Sequence, residues 1–398
     1  MKLFRFAEAI TAIAIFSMIF CSCKKNTISL LNINDDDTAQ TIDTNLYKLT
    51  GGNVQETGQL FLSLNSNKST TGNLLVLDQN GHIIKEKALT SRADDFQKWT
   101  INGQTRYSYL LAEGDYATGG PGTEEGYDVI CDSNFNEISQ AKFLSPGNID
   151  NPGNDRLDVH DFILLGDNHY MAISDQLENP TNIPDSLHPS SKVTVTACLI
   201  QEVNNGQVVF QWDGTKYPEL YSSSVENNNF SDSTDVMDYM HMNSICIDPN
   251  DNNIICSFRN LNEIIKINRV TGDIMWRLGG KYSDFPLTPD QDFLRQHYAR
   301  FTDDNQTLMF VDNGEATLRP YSRILEFQLD ETQKVVKNFT AFNIPDAFIQ
   351  YAGSVKKENG NYFIGGGAGN YALEVNYTTN QVYLRINQSY PSYRALKY

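Results

Sequence analysis

The fold is indicated most clearly by residues 241–277, whose sequence is HMNSICIDPNDNNIICSFRNLNEIIKINRVTGDIMWR. It contains four short runs rich in strand-forming residues, at 244–248, 254–258, 263–267 and 274–277. Pro, Asn, Asp and Gly residues separate these runs. Such a pattern predicts β-strands joined by turns. The stretch therefore predicts one sheet of four consecutive antiparallel strands.

The same four-strand unit recurs along the chain. The turn before its last strand falls at Asn80-Gly81, Asn134–Asn136, Asn205-Gly206, Thr271-Gly272, Thr332-Gln333 and Asn380-Gln381. These turns are roughly 50 to 70 residues apart, and four-stranded units at that period are typical of propeller blades. We therefore predict an all-β, six-bladed β-propeller with four-stranded antiparallel blades. A pair of β-sandwiches is the alternative, but it does not explain the even spacing.

Three polar insertions interrupt this rhythm, at 145–158, 175–191 and 213–238. Their Asn, Asp, Ser, Pro and Gly content is typical of surface loops. In a propeller, loops of this kind often wall one mouth of the central channel.

The N-terminus has the pattern of a bacterial lipoprotein signal. Lys2 and Arg5 precede an apolar stretch that is too short to span a bilayer but fits a signal peptide. Ser22-Cys23 follows it and resembles a lipobox, although Phe20 replaces the usual Leu or Val. We predict a signal peptide at 1–22, lipidation of Cys23, a polar tether at 23–45 and the propeller at 46–398. An ordinary secretory signal is the alternative.

This signal predicts a protein of the cell envelope, with a lipid anchor in a bacterial membrane and the folded part on the periplasmic side. An outer-membrane lipoprotein is one form of this. The 398-residue chain has 49 acidic and 31 basic side chains, and its formal charge of −18 repels nucleic acid. The sequence leaves the oligomeric state open.

Four further cysteines, Cys131, Cys198, Cys246 and Cys256, show no CxxC spacing. Cys246 and Cys256 fall on neighbouring predicted strands and are close enough in the pattern to pair. A large domain does not need disulfides to be stable, so we favour buried thiols.

Three of the six histidines occupy the same position in the repeat. His160, His241 and His297 each open a strand about six or seven residues before the following turn, and Tyr351 holds that position in the last blade. The first strand of each blade lines the propeller axis. We therefore expect these residues to converge at one end of the channel, with Tyr351 at the substrate.

Arg259 follows the second strand of the His241 unit. Because that strand is antiparallel to the first, its end returns to the histidine end of the blade. The pattern therefore predicts a site of three imidazoles and one guanidinium. His82, His169 and His188 lack this position in the repeat and are interpreted as structural or surface residues.

Three histidines can also bind zinc. A fixed cation such as Arg259 disfavours a dication nearby, and Asp161 is the one carboxylate that the pattern offers as a further ligand. No GxSxG, HExxH or phosphate-loop motif occurs, and no helix is predicted after the glycine-rich segment 365–369. We expect neither a metal nor a cofactor, and a metal-dependent esterase remains an alternative.

The order of motifs in the second part of the chain resembles the arylsulfotransferase family, the bacterial arylsulfate sulfotransferases that are independent of the phosphoadenosine donor. The motifs are HDFILL from His160, HMNSI from His241, SFRNLN from Ser257, TGDIMWRLGG from Thr271, QH at Gln296-His297, DNG from Asp312 and SRILEF from Ser322. The resemblance runs from about residue 155 to the C-terminus.

This resemblance implies a six-bladed propeller with an active site in its central channel. It implies that His297 is the nucleophile and takes the sulfuryl group as a transient sulfohistidine. The other implied site residues are Arg259, His241 and Asn243 as sulfate contacts and His160 as a proton donor or sulfate contact. Tyr298 stands where the family often has an acidic residue, and the N-terminal region is short.

The expected function is transfer of a sulfuryl group from an aryl sulfate to a phenol by a ping-pong mechanism. A phenolate, whose conjugate acid has a pKa near 10, leaves sulfur readily, and two displacements replace one difficult step. The alternative from another class is a non-catalytic propeller lipoprotein that binds a ligand or partner in the cell envelope.

Overall fold

The computed structural model describes residues 40–51, 58–65, 71–113, 125–144, 155–345 and 347–398. The predicted signal peptide and Cys23 lie outside the described residues, as do residues 23–39 of the predicted tether. The division into signal peptide, tether and propeller therefore stays a prediction.

The turns between strands are closed by Asp and Asn side chains. Asp78 Oδ1 accepts hydrogen bonds from the backbone N–H groups of Asn80 and His82, each at 2.9 Å. The same device recurs at Asp132, Asn268, Asp330 and Asn376. A side chain that satisfies local N–H groups ends the strand ladder at that point. Each of these turns lies between the third and fourth strands of a blade, which explains the even spacing.

The strands of the first half of the chain are short. They are β1 (Gln40–Asp43), β2 (Tyr47–Gly51), β3 (Leu60–Asn65), β4 (Gly72–Leu77), β5 (Ile83–Leu89), β6 (Ala93–Ile101), β7 (Gln104–Ala112), β8 (Glu125–Asp132), β9 (Glu137–Ala141), β10 (Leu157–Asp158), β11 (Phe162–Gly166), β12 (His169–Glu178), β13 (Thr194–Asn204) and β14 (Gln207–Asp213).

The second half continues the series with one six-residue helix, α1 (Pro218–Ser223). Its strands are β15 (Val236–Met237), β16 (Met242–Ile247), β17 (Ile254–Phe258), β18 (Glu263–Ile267), β19 (Ile274–Gly279), β20 (His297–Phe301), β21 (Thr307–Asp312), β22 (Arg323–Asp330), β23 (Val335–Asn343), β24 (Ser354–Glu358), β25 (Asn361–Gly365), β26 (Tyr371–Asn376), β27 (Val382–Gln388) and β28 (Ala395–Lys397). Short 3₁₀ turns lie at Asp185–Leu187, Gly214–Lys216, Arg259–Leu261 and Gly367–Gly369.

In the described part of the chain these strands form six sheets, the six blades of a β-propeller. From the axis outward, blade I is β28-β3-β4-β5, blade II is β6-β7-β8-β9, blade III is β11-β12-β13-β14, blade IV is β16-β17-β18-β19, blade V is β20-β21-β22-β23 and blade VI is β24-β25-β26-β27. The prediction of an all-β, six-bladed propeller is confirmed.

Three blades depart from the predicted four strands. Strand β10 adds to β8 in blade II, β15 pairs in parallel with β13 in blade III, and β2 and β1 extend blade VI beyond β27. Strand β1 lies within 23–45, the segment that we assigned to the tether. Its residues nevertheless pair with β2, so they are part of the sheet of blade VI.

The ring is closed by the C-terminal strand. β28 is the axial strand of blade I and pairs with β3, with Ala395 opposite Leu62. The expectation that the first strand of every blade lines the axis is therefore wrong for blade I. Its axial strand comes from the far end of the chain, where a three-residue segment carries too little pattern to be recognised.

The core lies between neighbouring blades. Leu62, Leu75, Leu384 and Ile386 pack together between blades I and VI. Similar clusters join blades I with II, II with III, III with IV and IV with V. Apolar burial between sheets, at roughly 25 cal/mol per Å², is therefore what holds the blades side by side.

A group of buried charges occupies the axis. Arg394, just before β28, contacts Asp95 of β6 at 2.6 Å and Asp161 at 2.9 Å. Arg300 of β20 contacts the other oxygen of Asp161 at 2.7 Å, and the N–H of Ile245 donates to it at 2.8 Å. We call Asp95, Asp161, Arg300 and Arg394 the axial cluster; it links blades I, II, III and V and the backbone of blade IV.

Two of the predicted insertions are more ordered than loops. Strand β12 extends to Glu178, so the insertion predicted from residue 175 begins later. The 213–238 segment contains α1 and β15. No helix among the described residues is both long and apolar enough to cross a bilayer.

The cysteines that the structure describes carry free, buried thiols. Cys246 of β16 lies opposite Ile255, and Cys256 of β17 lies opposite Ile245, so the two are offset by one position. The expectation of buried thiols is confirmed for Cys131, Cys198, Cys246 and Cys256.

Candidate active site

The three histidines singled out from the repeat lie at the entrances of three adjacent axial strands. His160 precedes β11, His241 directly precedes β16, and His297 is the first residue of β20. The rings of His160 and His241 meet edge to face with centroids 4.9 Å apart. Arg295, two residues before His297, shares the carboxylate of Glu226 with Arg259. The structure thus brings all four residues together.

Irregular backbone accompanies this convergence. The pairing of β16 shifts register between Met242 and Ser244, and that of β20 shifts between His297 and Arg300. His241 and Tyr298 have φ angles of 52° and 60°. Bulges and left-handed residues re-aim side chains, and they are concentrated at functional sites.

Arg259 begins the 3₁₀ turn after β17, and its N–H donates to the carbonyl of His241 at 2.9 Å. Its guanidinium Nη1 donates to Glu226 Oε2 at 3.0 Å. The other oxygen of Glu226 accepts from Arg295 Nε at 2.5 Å. Glu226 belongs to the insertion 213–238, so this segment reaches the site and holds two guanidinium groups with one carboxylate.

Two of the histidines are held by carboxylates. Asp158 Oδ1 is 2.5 Å from His160 Nδ1, and Asp238 Oδ2 is 2.6 Å from His241 Nδ1. Burial alone would lower the pKa of His241, but the Asp238 carboxylate outweighs it, so the pKa of His241 is raised from 6.5. His241 therefore keeps its second proton to a higher pH than a free imidazole does.

The third histidine has no carboxylate. His297 Nδ1 lies 2.7 Å from Asn313 Oδ1 and 3.0 Å from the carbonyl of Arg295. Burial, followed by the charge of Arg259, holds the pKa of His297 well below 6.5. His297 is therefore a neutral imidazole at neutral pH, and a neutral ring nitrogen keeps the lone pair that a nucleophile needs.

Exposure differs among these side chains. Those of His241 and Arg259 are 24% and 17% exposed, whereas His297 is 2% exposed. His241 and Arg259 are therefore accessible to a solute, as are the carboxylates of Asp238 and Glu226 beside them.

The remaining predicted site residues take different places. Asn243 is fully buried, and its Nδ2 donates to the carbonyl of Gln296 at 2.7 Å, next to His297. Tyr351 is partly exposed and precedes Ala352, whose N–H lies 3.3 Å from His297 Nε2. The ring of Tyr298 packs against Arg300, with the guanidinium carbon 4.3 Å from the ring centroid. Tyr298 therefore contacts the axial cluster. The side chain that contacts His297 Nδ1 is Asn313.

The one carboxylate that the sequence pattern offered to a metal is engaged elsewhere. Asp161 contacts Arg300 and Arg394 of the axial cluster. Among the described residues, Asp248, Asp251 and Glu331 have a spacing that can hold a metal ion. Lys266 Nζ lies 2.7 Å from a carboxylate oxygen of each, so an ammonium occupies the position that an ion would take.

The histidines without the repeat position make structural contacts. His169 pairs with Glu202 at 2.6 Å, and His82 contacts Asp78 at 3.1 Å. His188 is a left-handed residue that ends a 3₁₀ turn.

Sequence reasoning assigned no role to four residues of the site: Asp158, Asp238, Glu226 and Asn313, the last of which lies in the DNG motif that begins at Asp312. A signal was present for the first two, because an aspartate precedes His160 by two residues and His241 by three. The sequence also places Arg295, whose carbonyl contacts His297 Nδ1, two residues before that histidine. The sequence holds no comparable signal for Glu226, which comes from an insertion.

The comparisons with known proteins give a family for the chain. The family model of arylsulfotransferase (ASST) matches residues 36–395, which is nearly the whole chain. No curated protein matches the chain.

Several solved structures resemble the fold. A protein of unknown function from Bacteroides caccae is 11% identical, covers 86% of this chain and 99% of its own, and gives a TM-score of 0.46. The propeller domain of Cps50 from Myceliophteria thermophila is 8% identical over 86% and 87% of the two chains, with a TM-score of 0.44. The periplasmic gluconolactonase of Pseudomonas aeruginosa is 10% identical over 86% and 99%, also at 0.44. At these identities the likeness says nothing of activity.

The family match covers the blades that carry all three histidines and Arg259. Together with the six blades and the convergence of these residues at one end of the axis, it shows that this chain belongs to the arylsulfotransferase family.

Proposed function

We propose that the chain transfers a sulfuryl group from an aryl sulfate to a phenol through a covalent intermediate on His297. The observation that supports this proposal is the convergence of His160, His241, Arg259 and the buried His297 at one end of the axis, with an amide oxygen rather than a carboxylate at Nδ1 of His297. A sulfate monoester is an anion, so cationic groups bind it, and a neutral imidazole attacks its sulfur.

In the first step the lone pair of His297 Nε2 forms a bond to sulfur as the bond from sulfur to the aryl oxygen breaks. The developing charge on the non-bridging oxygens is met by the guanidinium of Arg259 and by His241, with Asn243 and Tyr351 beside the reacting group. The leaving oxygen takes a proton from His160, whose Nδ1 is held by Asp158 at 2.5 Å. Placed donors of this kind stabilise charge that develops in the transition state.

In the second step the oxygen of the acceptor phenol forms a bond to sulfur, and the electrons of the N–S bond return to His297 Nε2. His160 takes the proton of the acceptor phenol, which restores the starting state. The product of one half-reaction leaves before the acceptor enters, so the kinetics are ping-pong.

The activity is tested with an aryl sulfate whose free phenol is coloured, mixed with a second phenol, with and without EDTA. Transfer that EDTA does not affect supports the proposal. Loss of turnover in EDTA that zinc restores would indicate the metal-dependent esterase, and no release of phenol under any condition would leave a binding propeller. His188→Gln is the matched control for His297→Gln, because His188 lies in a surface turn.

We also propose that the chain is a lipoprotein of the cell envelope, anchored through Cys23, with the propeller on the periplasmic side. The support is the signal sequence that ends at Ser22 and the short polar segment after Cys23. A membrane anchor of this kind leaves the channel open to small aryl sulfates and phenols.

A further inference from the structure

We propose that Asn313 is a positioning residue that fixes the tautomer of His297, with the proton on Nδ1 and the lone pair on Nε2. The inference rests on the proposed role of His297 as the nucleophile. It adds a residue to the site and explains why one of three histidines in the site is a nucleophile and the others are not.

The side chain of Asn313 has one possible orientation. It follows β21 directly and is fully buried. Its Nδ2 donates to the carbonyls of Ile349 at 2.8 Å and Ala352 at 3.0 Å. The amide oxygen cannot face two carbonyl oxygens, because both are acceptors. Oδ1 must therefore point at His297 Nδ1, which lies 2.7 Å away.

The other partners of His297 require the same tautomer. The carbonyl of Arg295 is a second acceptor at 3.0 Å from Nδ1. On the far side of the ring, the N–H of Ala352 lies 3.3 Å from Nε2. Two acceptors at Nδ1 require a proton there, and a donor at Nε2 requires a lone pair. The contact at Nε2 is long, so it leaves that lone pair weakly engaged.

The neighbouring histidines differ from His297 in the partner of Nδ1. Asp158 and Asp238 place a carboxylate on Nδ1 of His160 and His241, whereas His297 has an amide at that position. A carboxylate favours the doubly protonated ring, which has no lone pair. An amide oxygen orders the ring equally well and adds no negative charge. The chain therefore has Asp beside His160 and His241 and Asn beside the nucleophile.

The amide also suits the intermediate. After attack, the ring carries sulfur on Nε2 and a proton on Nδ1, and its positive charge makes Nε2 a good leaving group for the second transfer. A carboxylate at Nδ1 would neutralise that charge and strengthen the N–S bond. Burial and then the charge of Arg259 lower the pKa of His297, and His160 and His241 act in the same direction.

The direct test is ¹⁵N NMR of the resting protein labelled at histidine. The chain has six histidines, so the signals of His297 are assigned by their loss in His297→Gln. We expect Nδ1 to carry the proton and Nε2 to be unprotonated at pH 7, and His241 to gain its second proton at a higher pH than His297 does. A proton on Nε2 of His297, or a doubly protonated His297 ring at pH 7, overturns the proposal.

Two variants add a functional readout. In Asn313→Ala, Nδ1 keeps the Arg295 carbonyl alone, and we expect kcat to fall about tenfold with little change in KM, the loss expected for one hydrogen bond. In Asn313→Asp, the acid limb of the kcat–pH profile should move upward by about one unit or more, because a carboxylate favours the protonated ring. Wild-type kcat and an unshifted profile in both variants would contradict the assignment.

The control for lost stability is Asn361→Ala in β25. Asn361 is also a buried amide, and its Nδ2 donates to Glu374 at 3.3 Å. Its kcat should stay near that of the wild type at matched unfolding temperature. Because the NMR measurement needs no substrate, a wrong tautomer with intact transfer defeats this inference alone. A correct tautomer without any transfer defeats the proposed function instead.

Discussion

The side chains of Arg259 and His241 are more exposed than that of His297, so an anion can reach both at this end of the axis. Arg259 uses Nη1 for Glu226 and Asn260, and its Nε and Nη2 are the groups that we propose for the anion. A guanidinium binds two oxygens of one sulfate at once, which a lysine ammonium cannot do.

Arg259→Lys should therefore behave as a severe change although it conserves charge. We expect kcat/KM for the aryl sulfate to fall about a hundredfold or more, in line with the roughly 3 kcal/mol that one preorganised charge contact contributes to a transition state. Steady-state kinetics measure this.

The control for Arg259→Lys is Arg106→Lys. Arg106 also forms an ion pair, with Asp167 at 2.9 Å, but it lies in blade II away from the histidines. An Arg259→Lys enzyme with activity close to that of Arg106→Lys would show that Arg259 does not contact the sulfate.

At this scale the sequence predicts the histidines better than their partners. His160, His241 and His297 share one position in a repeat, which a single sequence reveals. Asn313 contacts His297 from the strand after it, and Glu226 reaches Arg259 from an insertion. Such contacts depend on how segments fold back, and no local spacing encodes them.

Among the elements, the segment 213–238 does more than wall the channel. It packs Leu220 and Tyr221 of α1 into the core between blades III and IV. From this base it extends Glu226 to Arg259 and Arg295, and Asp238 to His241. One insertion therefore supplies two carboxylates to the site.

Glu226→Gln should separate binding from turnover. The neutral amide no longer competes with an anion for Arg259, so KM for the aryl sulfate should fall severalfold. The amide also orients the guanidinium less firmly, so kcat should fall severalfold as well. Initial rates over a range of donor concentrations measure both constants.

Glu315→Gln is the matched control for that variant. Glu315 lies 3.8 Å from Arg295 and has no described contact with Arg259. If Glu226→Gln and Glu315→Gln changed KM and kcat by the same small factor, Glu226 would act only through the net charge of the surface and not through its contact with Arg259.

The turns and strands of each blade were predictable because Asp and Asn side chains mark them in the sequence. All six turns before the fourth strand occur where the pattern places them. The extra strands β10, β15 and β1 and the axial strand β28 were not predictable. Each is two to four residues long and takes its structure from the partner strand.

For the whole molecule, the axial cluster and β28 join the C-terminal segment to blades I, II and III. Arg394 precedes β28 and contacts carboxylates from blades II and III. Burial raises the pKa of Asp95 to about 6, and Arg394 opposes this rise. Removing one partner from such a group leaves a buried charge without compensation.

Arg394→Met should therefore lower the free energy of unfolding by about 3 to 5 kcal/mol. Lys337→Met is the control, because Lys337 forms an exposed pair with Asp330 at 3.2 Å and such pairs contribute about 1 kcal/mol or less. Urea unfolding followed by tryptophan fluorescence measures both. Equal effects for the two variants would contradict the role of the axial cluster in closing the ring.

The predicted lipid on Cys23 would attach the whole molecule to the membrane. Cys23→Ala should abolish acylation and move the protein from the membrane to the soluble fraction, because the lipid is the proposed attachment. Fractionation and mass spectrometry of the mature N-terminus measure this. A mature N-terminus elsewhere with no lipid would contradict the lipoprotein assignment.

The proposed function requires that His297 carries the sulfuryl group between donor and acceptor. The most direct measurement mixes the protein with an aryl sulfate alone, quenches at alkaline pH because N-sulfohistidine is acid-labile, and maps the added mass by peptide mass spectrometry. We expect one sulfuryl group on His297 and none in His297→Gln. Modification of another residue, or transfer at the wild-type rate by His297→Gln, would contradict the claim.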